Sequence, residues 1–264
     1  FRFTGIAPKA EFVVIKGGDS TFRSIWEIDG LNYMVTRAKE MGKPIVMNLS
    51  LGGHEGAHDG TGDSEKFIDE ISGAGVIVCV AAGNDGNEKI HFGHDFSTSS
   101  SREIFFEVPD YIANPGTDGS YNDYIFFDAW YTGSDLPSVT VYGPKGQYLG
   151  PVNPGMNPRT GYGVDGKISI SNRGIGVSSG NDYQITIYVT DYVSQLTETV
   201  PSKGTWRIVF NNSTGGRIDG WLFDSSMDAA LSSASAAQER LVAMPGTAKK
   251  AITVGAYKSK TKWT

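Results

Sequence analysis

Asn84 is the residue whose type and position point most directly to chemistry. It follows the apolar run at residues 76–80 through the short segment Ala81-Ala82-Gly83. Such a run predicts a buried strand, and open α/β sheets build their sites where strands of this kind end. An Asn amide placed there can donate a hydrogen bond to negative charge that develops on a substrate oxygen. The alternative is structural, because Asn-Asp-Gly-Asn at residues 84–87 is also ordinary turn sequence.

Three further segments extend this pattern. Residues 5–10 read Gly-Ile-Ala-Pro-Lys-Ala, residues 50–53 read Ser-Leu-Gly-Gly, and residues 244–256 read Met-Pro-Gly-Thr-Ala-Lys-Lys-Ala-Ile-Thr-Val-Gly-Ala. In this order, and together with Ala-Ala-Gly-Asn at 81–84, they resemble the subtilisin-like serine peptidases. The resemblance covers residues 1–87 and roughly 241–264. It implies an α/β fold with a parallel, doubly wound sheet.

The resemblance also assigns roles to these residues. Asn84 would be the catalytic donor of the oxyanion hole. Two short segments would bind the substrate: Ser50, Leu51, Gly52 and Gly53 on one side, and Ala81, Ala82 and Gly83 on the other. An extended substrate can add as a strand beside the first segment, where glycines let a second backbone approach closely. The second segment would leave room for a large apolar side chain. The same small residues also suit tight strand–helix packing.

The three catalytic motifs of the family are missing from the sequence. The family's Asp lies in Asp-[Ser/Thr]-Gly, its His in His-Gly-Thr-His and its nucleophile in Gly-Thr-Ser-Met-Ala, and none of these strings occurs. We therefore expect an internal fragment of a longer serine endopeptidase, inactive by itself. The alternative is a non-catalytic protein- or glycan-binding module on a degenerate peptidase scaffold.

The resemblance implies a polypeptide substrate, and chemistry that requires no cofactor. It also implies a bacterial protein that is secreted, exposed on the cell surface or periplasmic. A structural calcium ion and the oligomeric state stay open.

Residues 54–58 read His-Glu-Gly-Ala-His, the literal form of a zinc-peptidase signature. That chemistry needs both His side chains on one helix face, one turn apart, with the Glu as base. Here Gly56 lies inside the stretch and two glycines precede it, and each Gly costs about 1 kcal/mol relative to Ala in a helix. The stretch is therefore predicted to be a solvated loop, and no metal site is expected.

Composition excludes several classes of partner. The 264-residue chain has a net charge of −6 with scattered Lys and Arg, which argues against nucleic acid or an anionic membrane surface as partner. It contains no apolar run of about 18 residues, so no membrane span is predicted. Its single cysteine, Cys79, excludes an internal disulfide.

Residues 1–88 are predicted to form the first part of the α/β core. Apolar runs at 11–16, 45–49 and 76–82 predict buried strands. Apolar residues recur at helical spacing between 25 and 38, before Gly42 and Pro44, and a second helix is predicted around 67–71. Alternating strands and helices with continuous apolar strands imply a parallel sheet covered on both faces.

Residues 89–228 have a different composition, rich in Gly, Tyr, Ser, Thr and Asn. Period-2 alternation recurs at 104–108, 124–130, 138–142, 167–170, 183–189, 204–210 and 219–223. This pattern indicates an inserted antiparallel β-sandwich. Residues 229–264 are predicted to be a linker helix and the return to the core. Because residues 85–89 span at most about 18 Å, the sandwich is expected to border the substrate cleft.

The predicted insertion also resembles one found in a subgroup of this family. Some subtilisin-like peptidases of anaerobic bacteria carry a jelly-roll-like domain at this point. They share a Ser-Leu-Gly-x-x-x-Gly-x-His-Asp-Gly-Thr stretch, which residues 50–61 match. The chain is thus similar to that subgroup of the family.

Overall fold

The computed structural model describes residues 5–18, 24–97, 99–114, 122–173, 182–194, 197–211, 215–225 and 227–256. Within them the chain forms two helices, α1 (Ser24–Glu40) and α2 (Asp63–Ile71). The strands are β1 (Ile45–Leu49), β2 (Val76–Ala81), β3 (His91–Asp95), β4 (Ser101–Val108), β5 (Tyr124–Thr132), β6 (Ser138–Tyr142), β7 (Tyr148–Val152), β8 (Arg159–Gly163), β9 (Gly166–Ser171), β10 (Tyr183–Thr190), β11 (Tyr192–Ser194), β12 (Thr197–Thr199), β13 (Gly204–Asn211), β14 (Arg217–Asp224), β15 (Ala230–Leu231) and β16 (Ile252–Val254).

The first part of the chain and its last strand form a three-stranded parallel sheet in the order β1-β2-β16. Ile45 pairs with Val76 at one end of β1, and Cys79 of β2 pairs with Ile252 of β16. The apolar runs predicted at 45–49 and 76–82 are therefore strands. The helix predicted before Gly42 is observed as α1, where Gly42 takes a left-handed conformation that ends the helix (φ +63°).

Helices cover one face of this parallel sheet in the described residues. Met47 and Val78 point into an apolar cluster with Leu31 of α1 and Ile68 of α2. On the opposite face Val46 and its neighbours on β2 and β16 are exposed. The sequence predicts cover on both faces, so this part of the expectation is not met within the described chain.

The prediction of a strand at residues 11–16 is wrong. These residues belong to no strand, and Phe12 and Val14 are 85% and 84% exposed. The segment is held to the core by side chains: Ile15 packs against Gly30 of α1, and Lys43 forms an ion pair with Glu11. An apolar run becomes a strand only where another strand pairs with its backbone, and none of the described strands does so here.

The middle of the chain forms two antiparallel sheets. One has six strands in the order β3-β14-β5-β10-β9-β8, and the other has five in the order β15-β4-β13-β6-β7. Their inner faces share one apolar cluster, which includes Phe92 and Phe127 from the first sheet and Trp206 and Phe210 from the second. Two sheets packed face to face in this way have the geometry of a β-sandwich, and we refer to β3–β10 and β13–β15 as the sandwich.

Each of the seven alternating stretches lies within an observed strand, namely β4, β5, β6, β9, β10, β13 and β14. The helix predicted after residue 228 is wrong. Ala230–Leu231 is a strand, and turns follow it. The serines of this Ala/Ser-rich stretch bond locally instead: Ser232 donates to Ser235 Oγ, which accepts the N–H of Phe105. Neither helix of the described residues has the length and apolar character needed to cross a bilayer.

We propose that the sandwich folds by itself, because its apolar cluster draws on its own strands. A polypeptide of residues 89–240 is expected to be β-rich and to unfold in one cooperative transition in urea. Phe210→Ala should lower its free energy of unfolding by about 3–5 kcal/mol, since this fully buried ring packs on Phe92. Ile112→Ala is the control, because that side chain is 94% exposed and should matter by less than about 0.5 kcal/mol. If the polypeptide of residues 89–240 showed no cooperative unfolding transition, that result would contradict the proposal.

Candidate active-site cleft

The segments that follow β1 and β2 are joined by a third piece of chain that arrives from far downstream. Gly53 and Met244 exchange both backbone hydrogen bonds, at 3.0 and 2.8 Å. The N–H of Ala243 then donates to the carbonyl of Ala82 at 2.9 Å. Residues 50–53 and 81–84 are thereby fixed side by side at the carboxyl ends of parallel strands, as the sequence predicts. The residues that join them, Ala243 and Met244, were missed, although Met-Pro-Gly at 244–246 was the available signal.

The joining segment is anchored to α2. Thr247 donates a side-chain hydrogen bond to the buried carboxylate of Glu65, which also accepts the N–H of Gly62 at 2.8 Å. Asp69 accepts the N–H of Lys250 at 2.7 Å. The position of Ala243 and Met244 is therefore set by a helix of the first part of the chain.

Gly52 and Gly83 face each other across Ala243. A Cβ added to Gly52 would lie 3.0 Å from the Cβ of Ala243, and one added to Gly83 would lie 3.1 Å from it. Gly83 also has a φ of +94°, which disfavours any other residue. Packing alone thus requires both glycines. Ala243 therefore packs against both glycines.

Asn84 lies exposed just beyond Gly83. Its loop is fixed by the next residue, since Asp85 Oδ2 lies 3.0 Å from Nε2 of the buried His54. His54 itself directly follows Gly53. The loop that carries Asn84 is therefore tied to the other strand end by a side-chain pair that sequence reasoning did not foresee.

A cleft of about 650 Å³ runs beside residues 51–53. Its wall includes Leu51, Gly52 and Gly53, but Ser50 and residues 81–84 lie outside it. Trp130 and Phe223 of the sandwich line the same cleft. The sandwich therefore borders this cavity.

Glu27 of α1 is a buried acid in the wall of this cleft. Burial raises the pKa of its carboxyl group; the hydroxyl of Ser64, which donates to Oε2 at 3.2 Å, opposes that rise, and the charge of Glu65 adds to it. The cleft therefore holds one carboxyl group that is poorly solvated and accepts a proton more readily than a surface Glu.

Residues 54–58 form a loop that docks on the sandwich, and they are not helical. The ring of His58 stacks on Trp221 with centroids 4.0 Å apart, and its two nitrogens lie 2.9 and 3.1 Å from the carbonyl oxygens of Val242 and His54. His54 Nε2 thus faces Asp85, whereas both nitrogens of His58 face backbone carbonyls. In the described residues no group of three or more His, Cys, Asp and Glu side chains has the arrangement of a metal site.

Asp128 receives this loop on the sandwich side. Its buried carboxylate accepts hydrogen bonds from the N–H of Gly56 at 2.9 Å, from Trp130 Nε1 at 3.0 Å and from Gln184 Nε2 at 2.7 Å. Burial raises the pKa of Asp128, and the three donors oppose that rise. One carboxylate therefore links the backbone of the cleft loop to two neighbouring strands.

A second polar cluster lies beside the Trp221 ring. His91 Nε2 lies 3.1 Å from Asp219 Oδ1, with both side chains buried, and Arg217 and Arg240 pair with the same carboxylate. Burial would raise the pKa of Asp219, but the bonds from His91 and Arg217 outweigh it and lower the pKa. Trp221 Nε1 donates to the carbonyl of Arg240 at 3.0 Å. This charge-paired cluster fixes the indole on which His58 stacks. His91 and His94 lie in strand β3.

Comparisons with known proteins agree on one relationship. A family model described as "Subtilase family" matches residues 2–264. Pyrolysin of Pyrococcus furiosus is 26% identical over 210 residues, which are 76% of this chain and 14% of pyrolysin. Subtilisin-like protease 4 of Trichophyton tonsurans is 38% identical over 88 residues, 32% of this chain and 21% of that protein. This chain thus spans a small part of each curated relative.

A solved structure, that of the Clostridium perfringens CspB protease, superimposes with a TM-score of 0.72 at 24% identity. The match covers 90% of this chain and 47% of that one. At this identity the likeness concerns the fold, a mixture of parallel and antiparallel sheets.

The docked His58 predicts how stability depends on pH. Burial lowers the pKa of His58 from 6.5 to about 4, against the two carbonyl contacts. The unfolded chain therefore takes up a proton at higher pH than the folded chain, and the free energy of unfolding falls as the pH drops between these values. The His58 contribution to this loss is about 3 kcal/mol.

Urea unfolding of the wild type and of His58→Gln, at about pH 7 and about pH 4, isolates that contribution. The wild type should lose about 3 kcal/mol more than the variant between the two conditions. Equal losses would show that His58 is not held neutral by its burial.

Proposed function

Because the chain belongs to the subtilase family, we propose that it supplies part of the substrate cleft and the oxyanion donor of a subtilisin-like serine endopeptidase. The substrate is a polypeptide. The family match does not favour the alternative of a non-catalytic protein- or glycan-binding module on a degenerate scaffold.

The observation that carries this proposal is the pairing of Gly53 with Met244. Adjacent residues of an extended strand direct their backbone groups to opposite sides, so Ser50 and Gly52 direct theirs away from Met244. Both residues are exposed. An extended substrate can therefore add as a strand along Ser50 and Gly52, with main-chain hydrogen bonds supplying affinity.

Asn84 is proposed to stabilise the tetrahedral intermediate of peptide-bond hydrolysis. In that step the carbonyl oxygen of the scissile bond takes up negative charge as the nucleophile adds, and the Asn amide donates to it. Rigid placement matters for such a donor, because a group already oriented costs no reorganisation when the charge develops. The contact between Asp85 and His54 supports this role, since it fixes the loop one residue away.

The nucleophile, base and acid are proposed to come from residues outside this sequence, which contains none of the corresponding family motifs.

We likewise propose that the three parallel strands belong to a larger, doubly wound sheet. The exposure of Val46, Ile77 and Val254 supports that proposal, because large apolar side chains on one sheet face are normally covered. A secreted, cell-surface or periplasmic location is proposed with it.

The chain as given is expected to hydrolyse no peptide. Asn84 can stabilise an intermediate but cannot form one, because an amide is neither the nucleophile nor the base. The measurement is release of a fluorophore from quenched peptide substrates after repeated purification. Peptide hydrolysis that persists through purification and is abolished by Asn84→Ala would contradict the proposal that the nucleophile, base and acid lie outside this sequence. Turnover that a zinc chelator abolishes would point to His54 and His58 instead.

In the longer protein Asn84→Ala is expected to lower kcat by about 10²–10³ with little change in KM, because the lost bond forms in the transition state. Asn87→Ala is the matched control, an exposed Asn three residues further along the same loop, and it should leave kcat within about twofold of the wild type. An equal loss in both variants would mean that the loop, and not the Asn84 amide, is what matters.

A further inference from the structure

The outer face of the six-stranded sheet carries a row of aromatic side chains that crosses three strands. Phe223 of β14 pairs with Phe126 of β5, and Phe126 pairs with Tyr188 of β10. Their rings stack in sequence, with centroids 5.7 Å apart for the first pair and 4.3 Å for the second. Ser169 of β9 continues the row opposite Tyr188. The row is thus one continuous strip across the sheet.

This strip lies beside the part of the same face that the cleft loop covers. Two residues along β5 from Phe126 is Asp128, which accepts the N–H of Gly56, and its partner on β14 is Trp221, which stacks on His58. Next to these contacts the strip borders a groove of about 460 Å³, which Glu55 of the loop also lines. Tyr188 and Tyr124 in the groove are 42% and 38% exposed.

The groove is continuous with the proposed substrate cleft. Glu55 lines both of them, and Phe223, the first ring of the strip, lies in the wall of the cleft. A polypeptide that pairs with Ser50 and Gly52 and continues into the cleft past Gly53 would reach the strip by passing Glu55.

The chemistry of the groove favours an uncharged side chain. Three of its lining residues are aromatic, Phe126, Tyr188 and Tyr124. Ser169 and Thr190 add hydroxyl groups, and Lys167 and Glu55 add one charge of each sign. Ring faces bind apolar and aromatic groups, and opposite charges give no net preference for an ion.

We propose that this groove is a substrate subsite that binds an aromatic or large aliphatic side chain of the polypeptide in the cleft, several residues from the bond that is cut. The sandwich then acts as a specificity element of the peptidase. This inference rests on the proposed function in one respect, that the cleft beside Gly52 and Gly53 holds a polypeptide.

Peptide binding tests the proposal without requiring turnover. The probes are fluorescein-labelled dodecapeptides of Gly, Ser and Ala that carry one Phe, moved through every position, and a matched peptide without Phe. Fluorescence anisotropy with the 264-residue chain should give a Kd at least about fivefold lower for one or two Phe positions than for the Phe-free peptide.

Tyr188→Ala should abolish this preference, and Tyr188→Phe, which keeps the ring, should retain it. Tyr148→Ala is the matched control. Tyr148 is an exposed Tyr that also stacks on a neighbouring ring, that of Tyr142, but it lies on the other sheet. The control should bind all peptides as the wild type does. Urea unfolding of each variant verifies that it is folded.

Three results would overturn the proposal: no preference for any Phe position in the wild type, a preference that survives in Tyr188→Ala, or one that Tyr148→Ala removes equally. Binding of oligosaccharides that depends on Tyr188, without binding of peptides, would also overturn it and assign the groove to glycans. Failure of the proposed catalytic function gives a different result, because loss of the Asn84 effect on kcat leaves these binding constants unchanged.

Discussion

The cleft depends on a backbone contact between parts of the chain that are far apart in sequence. Residues 50–53 and 81–84 leave neighbouring parallel strands, but it is Ala243 and Met244 that hydrogen-bond to both. Those two residues arrive after the whole sandwich has been traversed. The parallel sheet can therefore complete this edge only when the chain returns from the sandwich, and the return is fixed by the bonds of Glu65 and Asp69 on α2. Assembly of the cleft therefore depends on where the chain leaves the sandwich.

Two buried carboxylates, Asp128 and Asp219, lie in the part of the sandwich that faces the cleft loop. Asp128 has three donors, and Asp219 has His91 and two Arg side chains. A buried carboxylate that loses a partner is costly, so such an interface tolerates few alternative arrangements. This orientation places Trp130 and Phe223 in the wall of the cleft. The sandwich is thus a fixed neighbour of the residues proposed to bind substrate.

The hydrophobic pattern of the sequence predicted the helices and strands in which buried residues recur with the same period as apolar ones. The spacing of Leu31 and Val35 predicted α1, and the alternation at 104–108 and 167–170 predicted parts of β4 and β9. The family match bears out the resemblance read from residues 5–10, 50–53, 81–84 and 244–256.

Predictions that depended on contacts with a distant part of the chain could not be made from the sequence alone. The run at 11–16 has strand composition, but none of the described strands pairs with it. In the Ala-rich stretch after 228, the serines bond locally in turns. The meeting of Gly56 with Asp128, or of Ala243 with Gly52 and Gly83, joins residues separated by 72 positions or more. No local pattern encodes those distances.

A polypeptide that adds as a strand to residues 50–53 must pair with the side that faces away from Met244. Hydrogen exchange of backbone amides, measured by NMR on the chain with and without a saturating extended peptide, tests it directly. The Gly53 N–H already donates to Met244, so its exchange should hardly change, whereas the Gly52 N–H should become protected when the peptide binds. Exchange at Gly52 that stays as fast in the presence of bound peptide as in its absence would contradict the account.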